Sequence, residues 1–326
     1  MNTPRVVVSV IIPAHGHAGM TDHCVSSVLT SIGSREDVEI IVVDDASPVP
    51  ISLDASKDHR VTIIRSDANL RFSRACNFGA QRATGTFLLF LNNDTEVRGN
   101  SIVDMIACAE TRKDVAVVGA KLAYRDQTVQ HAGIAICQGD GLPRHIYRGF
   151  PVDHPAVTRD RAFQAVTGAC MLVRSDAFDL VRGFDERFAN GYEDIDLCLR
   201  LHGRGYRTWY CGTTDVVHLE SVSLRDSNQH AEALNDPNSA LFQARWSNLV
   251  SRDEIAIYAS DGLISVQSGD VYPLKIVCAP ELAELAFQGH DSELARLLGI
   301  RSRQVFDLEK DLGYLMARLL DHGVSL

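Results

Sequence analysis

The sequence predicts an α/β fold in which a mostly parallel, Rossmann-like sheet is flanked by helices. Two apolar runs, residues 6–12 and 38–43, have the length of buried strands and end at Pro13 and at Asp44. Between them, residues 20–32 place apolar side chains at helical spacing. This alternation of strand, helix and strand is typical of a doubly wound sheet.

The same alternation continues along the next part of the chain. Short β-rich runs alternate with segments whose apolar residues recur at helical spacing. Residues 121–160, rich in Gly, Pro, His and Arg, instead favour irregular or hairpin structure. The predicted elements are a strand over 61–64, a helix over 73–83, a strand over 87–91, a helix over 102–110 and a strand over 115–118.

Regular elements return from residue 165 onwards. The helix predicted over 192–200 is acidic at its start and basic at its end, which is the charge order that the helix dipole favours. We therefore expect Glu193 and Asp194 at a helix N-terminus. The predicted elements here are a strand over 166–173, a helix over 175–182 ended by Gly183, the helix over 192–200, and strands over 208–211 and 215–219.

The C-terminal part of the chain, residues 251–326, lacks these motifs and is expected to be a partly helical extension. An apolar stripe in it repeats with alternating steps of three and four, which predicts a packed amphipathic helix. We expect this stripe to be buried on the main domain or between the subunits of a homodimer. It consists of Val305, Leu308, Leu312, Leu315 and Leu319.

The composition argues against several classes of protein. The 326 residues carry a formal net charge of −10, from 32 Lys and Arg against 42 Asp and Glu, so no nucleic-acid partner is expected. The longest apolar stretches, residues 6–12 and 87–91, are strand-sized, so no transmembrane segment is expected. The eight cysteines stand singly, without CxxC pairs or zinc-like spacing, and predict reduced core thiols in a cytoplasmic protein.

Acidic residues follow two of the predicted strands at the point where each strand ends. Asp44 and Asp45 end the second strand, and Asp94 comes soon after the fourth. In open α/β sheets, ligands bind beyond the carboxyl ends of the strands. Carboxylates placed there need a cation or hydrogen-bond donors, so the sequence predicts a ligand site at this edge.

Five segments of the sequence resemble the motifs of the family 2 glycosyltransferases with a GT-A fold, and especially of their bacterial rhamnosyltransferase-like branch. They occur in the same order as in that family. The resemblance covers about residues 6–250. It implies a main domain over 1–250, with a nucleotide-binding half over 1–120 and an acceptor and catalytic half over 121–250. The segments are VSVIIP at 8–13, IVVDDAS at 41–47, LFLNND at 89–94, GFDE at 183–186 with EDIDL at 193–197, and HLES at 218–221.

The matching motifs imply a donor-binding set. Asp45 is expected to bind the base of a nucleotide-diphosphate sugar, and Asp94 to be the last residue of a DxD-type metal motif whose first position is Asn92. Arg71 replaces the family's usual glycine, and either Arg71 or Arg74 is expected to face the diphosphate. The implied donor-binding residues are Pro13, Asp45, Arg71, Asn92, Asn93 and Asp94.

Glycosyl transfer needs a counter-charge for the leaving diphosphate and a base for the incoming hydroxyl. Asp94 and His218 offer a carboxylate and an imidazole, a set suited to Mn²⁺ or Mg²⁺ rather than to zinc or iron. The structural alternatives are a turn aspartate at Asp94 and a core histidine at His218.

Asp194 is the candidate base, because the helix dipole and a nearby cation would keep it ionised at neutral pH. Asp196 lies about 200° further around the helix and is placed to pair with Arg200. With no second carboxylate as nucleophile, a single displacement that inverts the anomeric centre is expected.

The predicted function is therefore sugar transfer from dTDP-rhamnose or a UDP-sugar to a hydroxyl of a saccharide or lipid-linked saccharide. The setting expected is bacterial cell-surface polysaccharide synthesis in the cytoplasm or at the inner face of the membrane, with peripheral association. One alternative is a sugar nucleotidyltransferase, although residues 13–20 contain no Lys or Arg for its phosphate loop. Another is a non-catalytic domain that binds nucleotide sugar or glycan.

Overall fold

The computed structural model describes residues 6–188, 190–219, 237–267 and 275–278. Its strands are β1 (Val8–Ala14), β2 (Val38–Asp44), β3 (Val61–Arg65), β4 (Phe87–Leu91), β5 (Thr95–Arg98), β6 (Val115–Ala123), β7 (Val129–His131), β8 (Ile134–Ile136), β9 (Pro143–His145), β10 (Arg161–Phe163), β11 (Cys170–Arg174), β12 (Arg207–His218), β13 (Ile264–Gln267) and β14 (Lys275–Cys278). Its helices are α1 (Ala18–Ile32), α2 (Arg71–Ala80), α3 (Ser101–Glu110), α4 (Ser175–Leu180), α5 (Glu193–His202), α6 (Pro237–Trp246) and α7 (Glu254–Ser260).

A ten-stranded mixed sheet forms the centre of the described chain, in the order β10-β12-β6-β11-β4-β1-β2-β3, with β5 beside β12 and β7 beside β6. The strands β4, β1, β2 and β3 are parallel to their neighbours in this series. Strands β6 and β12 are also parallel, whereas β11 runs antiparallel between β4 and β6. Strands β1, β2 and β4 therefore end at one common edge of the sheet.

Apolar side chains on the two faces of the sheet form two buried clusters. In β1, Ile11 belongs to one cluster, whereas Val10 and Ile12 belong to the other, as the two-residue period of a strand requires. Residues of α2, α4 and α5 cover the first face, and residues of α1 and α3 cover the second. The predicted α/β class with flanking helices is confirmed.

The structure differs from the sequence prediction in two places near the common edge. Strand β5 was not predicted, and it pairs antiparallel with the end of β12. The two short strands predicted over 208–211 and 215–219 are one strand, β12, whose pairing with β6 shifts register between Cys211 and Val216. The polar residues of this bulge hid the continuity, because they interrupt the alternation that marks a strand.

The described residues that follow residue 250 contact the main domain directly. Tyr258 is buried in the core, and Asp253 accepts a hydrogen bond from the backbone amide of Ile136 at 2.8 Å. Asp261 is paired with Arg159 and Arg161. The boundary at residue 250 stays a prediction, and the stripe from Val305 to Leu319 lies outside the described residues.

None of the described helices is both long and apolar enough to cross a membrane. The cysteines whose surroundings are described are buried and free, as the sequence predicted: Cys24, Cys76, Cys108, Cys137, Cys170, Cys198 and Cys211.

Candidate active site

A cavity of about 300 Å³ opens at the common edge where β1, β2 and β4 end. Every residue of the predicted donor-binding set lines it, although these residues come from four separate segments of the chain. His15, Asn69 and Asn190 also line it, and none of the three was in the predicted set. The predicted lining residues are Pro13, Asp45, Arg71, Asn92, Asn93 and Asp94.

Asp45 holds the start of α2 in place. Its Oδ1 accepts a hydrogen bond from the backbone amide of Leu70 at 2.6 Å, and its Oδ2 accepts one from that of Arg71 at 3.0 Å. The backbone carbonyl of Asp45 also lies 2.7 Å from Nδ1 of His15. Because each oxygen of this carboxylate already accepts a hydrogen bond, its orientation is fixed before any ligand binds.

The backbone of Arg71 fits a position at which the family usually has glycine. Its φ of 63° lies in the left-handed region, where a side chain is strained. Its exposed side chain lies at the cavity, whereas the alternative candidate, Arg74, is paired with Glu186 at 3.0 Å. The geometry therefore favours Arg71 over Arg74 as the diphosphate partner.

Strand β5 brings the two predicted metal ligands together. The pairing of β5 with β12 places His218 opposite Thr95, the residue after Asp94. Nε2 of His218 consequently lies 3.1 Å from Oδ1 of Asp94 and 3.3 Å from Nδ2 of Asn92. The neighbouring amide of Asn93 instead donates to the hydroxyl of Thr21 at 3.0 Å.

Gln130 fixes the orientation of the His218 ring. Its Oε1 lies 2.6 Å from Nδ1 of His218, so Nδ1 carries a proton and donates it to this oxygen. The other ring nitrogen, Nε2, then faces Oδ1 of Asp94. A carboxylate oxygen and a ring nitrogen at this separation need a proton or a cation between them, so the pair fits a divalent metal.

Two histidines, the buried His131 and the half-buried His145, lie behind this pair. Nδ1 of His131 lies 3.2 Å from Nδ1 of His145. Burial is the main cause that lowers both pKa values, to about 4 for His145 and well below the usual range for His131. Both rings are therefore neutral near pH 7, and neither adds a competing positive charge to the site.

Asp194 lies beside the same edge of the sheet. Its Oδ2 accepts a hydrogen bond from the backbone amide of Gly168 at 2.7 Å, and its Oδ1 accepts one from that of Ile195 at 2.8 Å. The residue after Gly168, Ala169, accepts a hydrogen bond from the backbone amide of Asn92 at 2.9 Å. The candidate base is thus anchored to a segment that also contacts the candidate metal motif.

Burial raises the pKa of Asp194, although hydrogen bonds from Gly168 and Ile195 oppose this effect. Burial is the largest cause, so the net shift is upward, whereas the expected ionisation of Asp194 at neutral pH stays a prediction. A raised pKa suits a general base better than a lowered one, because basicity increases with pKa.

The two other carboxylates of α5 have different surroundings. Glu193 is buried, and its Oε2 has no hydrogen-bond partner among the described residues. Burial and the charge of Asp194 raise its pKa to about 8. Asp196 forms the predicted ion pair with Arg200 at 2.6 Å, and it also contacts Arg245 and the indole of Trp246.

The sequence leaves Trp209, Tyr210 and Tyr192 open as platforms for sugar rings, although aromatic residues at strand positions are more often core. In the structure all three have structural contacts. Tyr210 is fully buried and donates its hydroxyl to the backbone carbonyl of Val157 at 2.6 Å. The ring of Trp209 lies against the guanidinium groups of Arg112 and Arg207. The ring of Tyr192 packs on that of Phe242. The sequence also predicts a polar loop or a solvated linker over residues 221–238, and most of this segment lies outside the described residues.

These features define an α/β protein with a ligand cavity at the carboxyl edge of its sheet. The chain belongs to the family described as "Glycosyl transferase family 2", whose sequence model matches residues 9–180. The resemblance stated from the motifs is therefore confirmed.

Two curated relatives match about two thirds of the chain. It is 32% identical over 232 residues to "O-antigen biosynthesis protein RfbC" of Myxococcus xanthus, covering 68% of this chain and 18% of that protein. It is also 32% identical to "Uncharacterized protein y4gI" of Sinorhizobium fredii, covering 67% of this chain and 25% of that protein.

A third relative matches a shorter part. The chain is 34% identical over 109 residues to an "N-acetylglucosaminyl-diphospho-decaprenol L-rhamnosyltransferase" of Mycobacterium tuberculosis, covering 29% of this chain and 36% of that protein. The matches thus span between 18% and 36% of the length of these three relatives.

A solved structure confirms the GT-A fold. It is described as "Crystal structure of GalNAc-T7 with UDP, GalNAc and Mn2+", and it superposes with a TM-score of 0.58 over 80% of this chain and 51% of that one. The sequence identity is 17%, so the similarity is one of fold.

Proposed function

We propose that this protein is an inverting, metal-dependent glycosyltransferase that moves a hexose from a nucleotide-diphosphate sugar to a hydroxyl of a saccharide acceptor. The observation that carries the proposal is one cavity lined by the whole predicted donor-binding set, with the Asp94 and His218 pair at its edge. Family membership supports the glycosyl-transfer chemistry.

Asp94 and His218 would hold Mn²⁺ or Mg²⁺, and a cation bound there supplies positive charge to the leaving diphosphate. Support comes from the facing atoms, Oδ1 and Nε2, at 3.1 Å. The amide of Asn92, which replaces the first carboxylate of the motif, contacts the same Nε2 and would orient it or a bound water. The description of the solved structure with a similar fold names Mn²⁺, and this also supports the proposed cation.

The nucleotide would lie along the carboxyl ends of β1 and β2. In this proposal Asp45 accepts a hydrogen bond from the base, and Pro13 and His15 form the wall beside it. The exposed guanidinium of Arg71 is the cationic partner for the diphosphate. Because Asp45 also holds the backbone amide of Arg71, the base and the diphosphate are bound by one ordered turn.

Asp194 would remove the proton from the acceptor hydroxyl. The backbone amides of Gly168 and Ile195 hold both of its oxygens, so the carboxylate is oriented before the acceptor binds. Glu193 has a pKa of about 8 and is largely protonated near neutral pH, so it does not compete as a nucleophile. With a single ionised carboxylate at this position, displacement at C1 occurs in one step and inverts the configuration.

For the donor we propose dTDP-rhamnose first and UDP-sugars next, because one relative is named as a rhamnosyltransferase. For the pathway we propose cell-surface polysaccharide synthesis, because another is named for O-antigen biosynthesis. The acceptor is then a saccharide or a lipid-linked saccharide. We propose a cytoplasmic location, with peripheral association at the inner face of the membrane, and a homodimer.

The test is donor turnover by the purified chain. We expect release of nucleoside diphosphate from dTDP-rhamnose or a UDP-sugar with Mn²⁺ present, its loss with EDTA, and its recovery when Mn²⁺ is added back. A nuclear magnetic resonance spectrum of the product should show the anomer opposite to that of the donor. Retained configuration, or release of pyrophosphate from a nucleoside triphosphate and a sugar phosphate, would contradict the proposal.

Gln130 gives a prediction about metal affinity. Replacing it with leucine removes the acceptor that fixes the tautomer of His218, at similar side-chain volume. We expect Mn²⁺ affinity, measured by isothermal titration calorimetry, to fall about 10- to 100-fold. Gln127, which lies in an exposed turn, provides the control as Gln127→Leu. Equal Mn²⁺ affinity in Gln130→Leu and wild type would show that Gln130 does not orient the ligand.

A further inference from the structure

Three potential metal ligands meet near the bulge of β12. Sγ of Cys108 on α3, a carboxylate oxygen of Asp160 before β10, and Sγ of Cys211 on β12 lie within 4.8 Å of one another. Both thiols are buried, and Asp160 is exposed. The cluster therefore has a buried sulfur side and an open carboxylate side through which an ion and a water molecule can enter.

The distance between two of the potential ligand atoms fits a tetrahedral soft-metal site. Zinc binds thiolate sulfur at about 2.3 Å and carboxylate oxygen at about 2.1 Å, so two such ligands are about 3.6 Å apart around a tetrahedral ion. Sγ of Cys108 lies 3.9 Å from Oδ2 of Asp160, which needs a shift of only about 0.3 Å. The other carboxylate oxygen of Asp160 is held by the backbone amide of Gly212 at 2.9 Å.

The backbone around the cluster is closely packed. A Cβ atom on Gly212 would lie 2.6 Å from the backbone carbon of Thr158, so only glycine lets the loop that carries Asp160 pack on β12. The bulge that begins at Cys211 is fixed by the buried hydroxyl of Thr214, which donates to the carbonyl of Cys211 at 2.8 Å. The three ligands are thus held by ordered backbone on separate elements.

The charges balance when a divalent cation is added. Two thiolates and one carboxylate carry three negative charges, and Arg112 places Nη1 3.5 Å from Sγ of Cys108. A divalent ion together with this guanidinium neutralises the cluster. The hydroxyl of Thr213, 3.4 Å from Sγ of Cys211, is a further polar neighbour that stabilises a thiolate.

We propose that Cys108, Cys211 and Asp160 bind one zinc-type ion, with water as the fourth ligand, at a site separate from that of the proposed catalytic cation. Soft thiolates select zinc, whereas the Asp94 and His218 pair offers no sulfur and suits harder ions. The ion joins α3, the loop before β10 and the bulge of β12, and so it stabilises the strand that ends at His218. No spacing signal marks this site in the sequence, because the two cysteines are far apart along the chain.

Cobalt substitution tests the proposal directly. The full chain is stripped with EDTA under reducing conditions, and Co²⁺ is added while the absorption spectrum is recorded. We expect a thiolate-to-cobalt charge-transfer band with tetrahedral d–d bands, saturating at one ion per chain and abolished by one equivalent of Zn²⁺. The apparent Tm should rise with Zn²⁺ concentration, since the ligand binds the folded state.

Variants identify the ligands. Cys108→Ser and Cys211→Ser should lose the charge-transfer band, and Asp160→Asn should keep a weaker band at lower Co²⁺ affinity. Cys137→Ser, which replaces another buried cysteine, should keep the wild-type spectrum. Asp94→Ala should also keep it, and this separates the site from the proposed catalytic one.

Three results would overturn the proposal. One is a wild-type chain that shows no thiolate-to-cobalt band. Another is a band that persists when Cys108 and Cys211 are both replaced. The third is an intact mass, measured without reductant on protein purified without oxidant, that is lower by two hydrogens and shows the two cysteines joined as a disulfide.

Discussion

Replacing Asp194 with asparagine should lower kcat by about 10² to 10⁴, because the acceptor hydroxyl loses its general base. Nucleotide and Mn²⁺ should bind nearly as well as in wild type, since neither contacts this side chain in the proposed arrangement. Steady-state kinetics and calorimetric titration of the nucleoside diphosphate measure the two quantities separately. The side-chain amide of the variant can accept only one of the two backbone hydrogen bonds from Gly168 and Ile195, so a small loss of stability is expected.

The pH dependence follows from the direction of the Asp194 pKa shift. Burial raises this pKa, so the ionised base accumulates only as the pH rises through a value above that of an exposed aspartate. The acid limb of kcat/KM should therefore lie above the usual range for an aspartate, and activity should fall as the pH drops through it. This limb should disappear from the residual activity of Asp194→Asn.

Asp196 provides the matched comparison on the same helix. Its fully buried carboxylate contacts Arg200, Arg245 and Trp246, and its replacement removes the carboxylate that pairs with the part-buried guanidinium of Arg200. We expect Asp196→Asn to lower the free energy of unfolding by about 3 kcal/mol in chemical denaturation, with kcat of the folded fraction nearly unchanged. A folded but inactive Asp196→Asn together with a nearly normal Asp194→Asn would show that Asp194 is not the base.

Replacing Asp94 with alanine should lower divalent-cation-dependent turnover by at least about 10³, because the leaving diphosphate loses its counter-charge. Mn²⁺ affinity should fall in the same variant, because His218 alone is a weak site for a hard cation. Turnover across a range of Mn²⁺ concentrations and direct Mn²⁺ titration measure both effects. Folding should persist, which circular dichroism checks.

The control for this variant is Asp67→Ala, which removes an exposed carboxylate that does not line the cavity. Its turnover and Mn²⁺ dependence should match wild type. Wild-type turnover in Asp94→Ala would remove this aspartate from the proposed metal site and would leave the contact between Asp94 and His218 as a structural hydrogen bond.

The parallel strands could be predicted because each is an apolar run of strand length that ends at a proline or a polar residue. β1, β2 and β4 are such runs, and the polar ends of β2 and β4 carry Asp45 and the Asn92 to Asp94 motif. The helical period located α1 and α3 in the same way. These signals are local, so a single sequence contains them.

Contacts between segments that are far apart along the chain leave no local pattern in the sequence, so they could not be predicted. Gln130 meets His218 only because β7 pairs with β6, which in turn pairs with β12. Similarly, the sequence could not decide whether Arg71 or Arg74 faces the diphosphate. That choice depends on the ion pair between Arg74 and Glu186, two residues that are far apart along the chain. The pKa of Asp194 could not be predicted either, because burial is a property of the packed structure.

The antiparallel strand β11 has a consequence for how the chain reaches its native state. It hydrogen-bonds to β4 on one side and to β6 on the other, although both neighbours precede it by many residues. The sheet therefore cannot close during synthesis until β11 leaves the ribosome, and until then β4 and β6 expose unpaired edges. We therefore expect the strands on the two sides of β11 to fold as one cooperative unit, and a chain truncated near residue 120 to aggregate rather than fold.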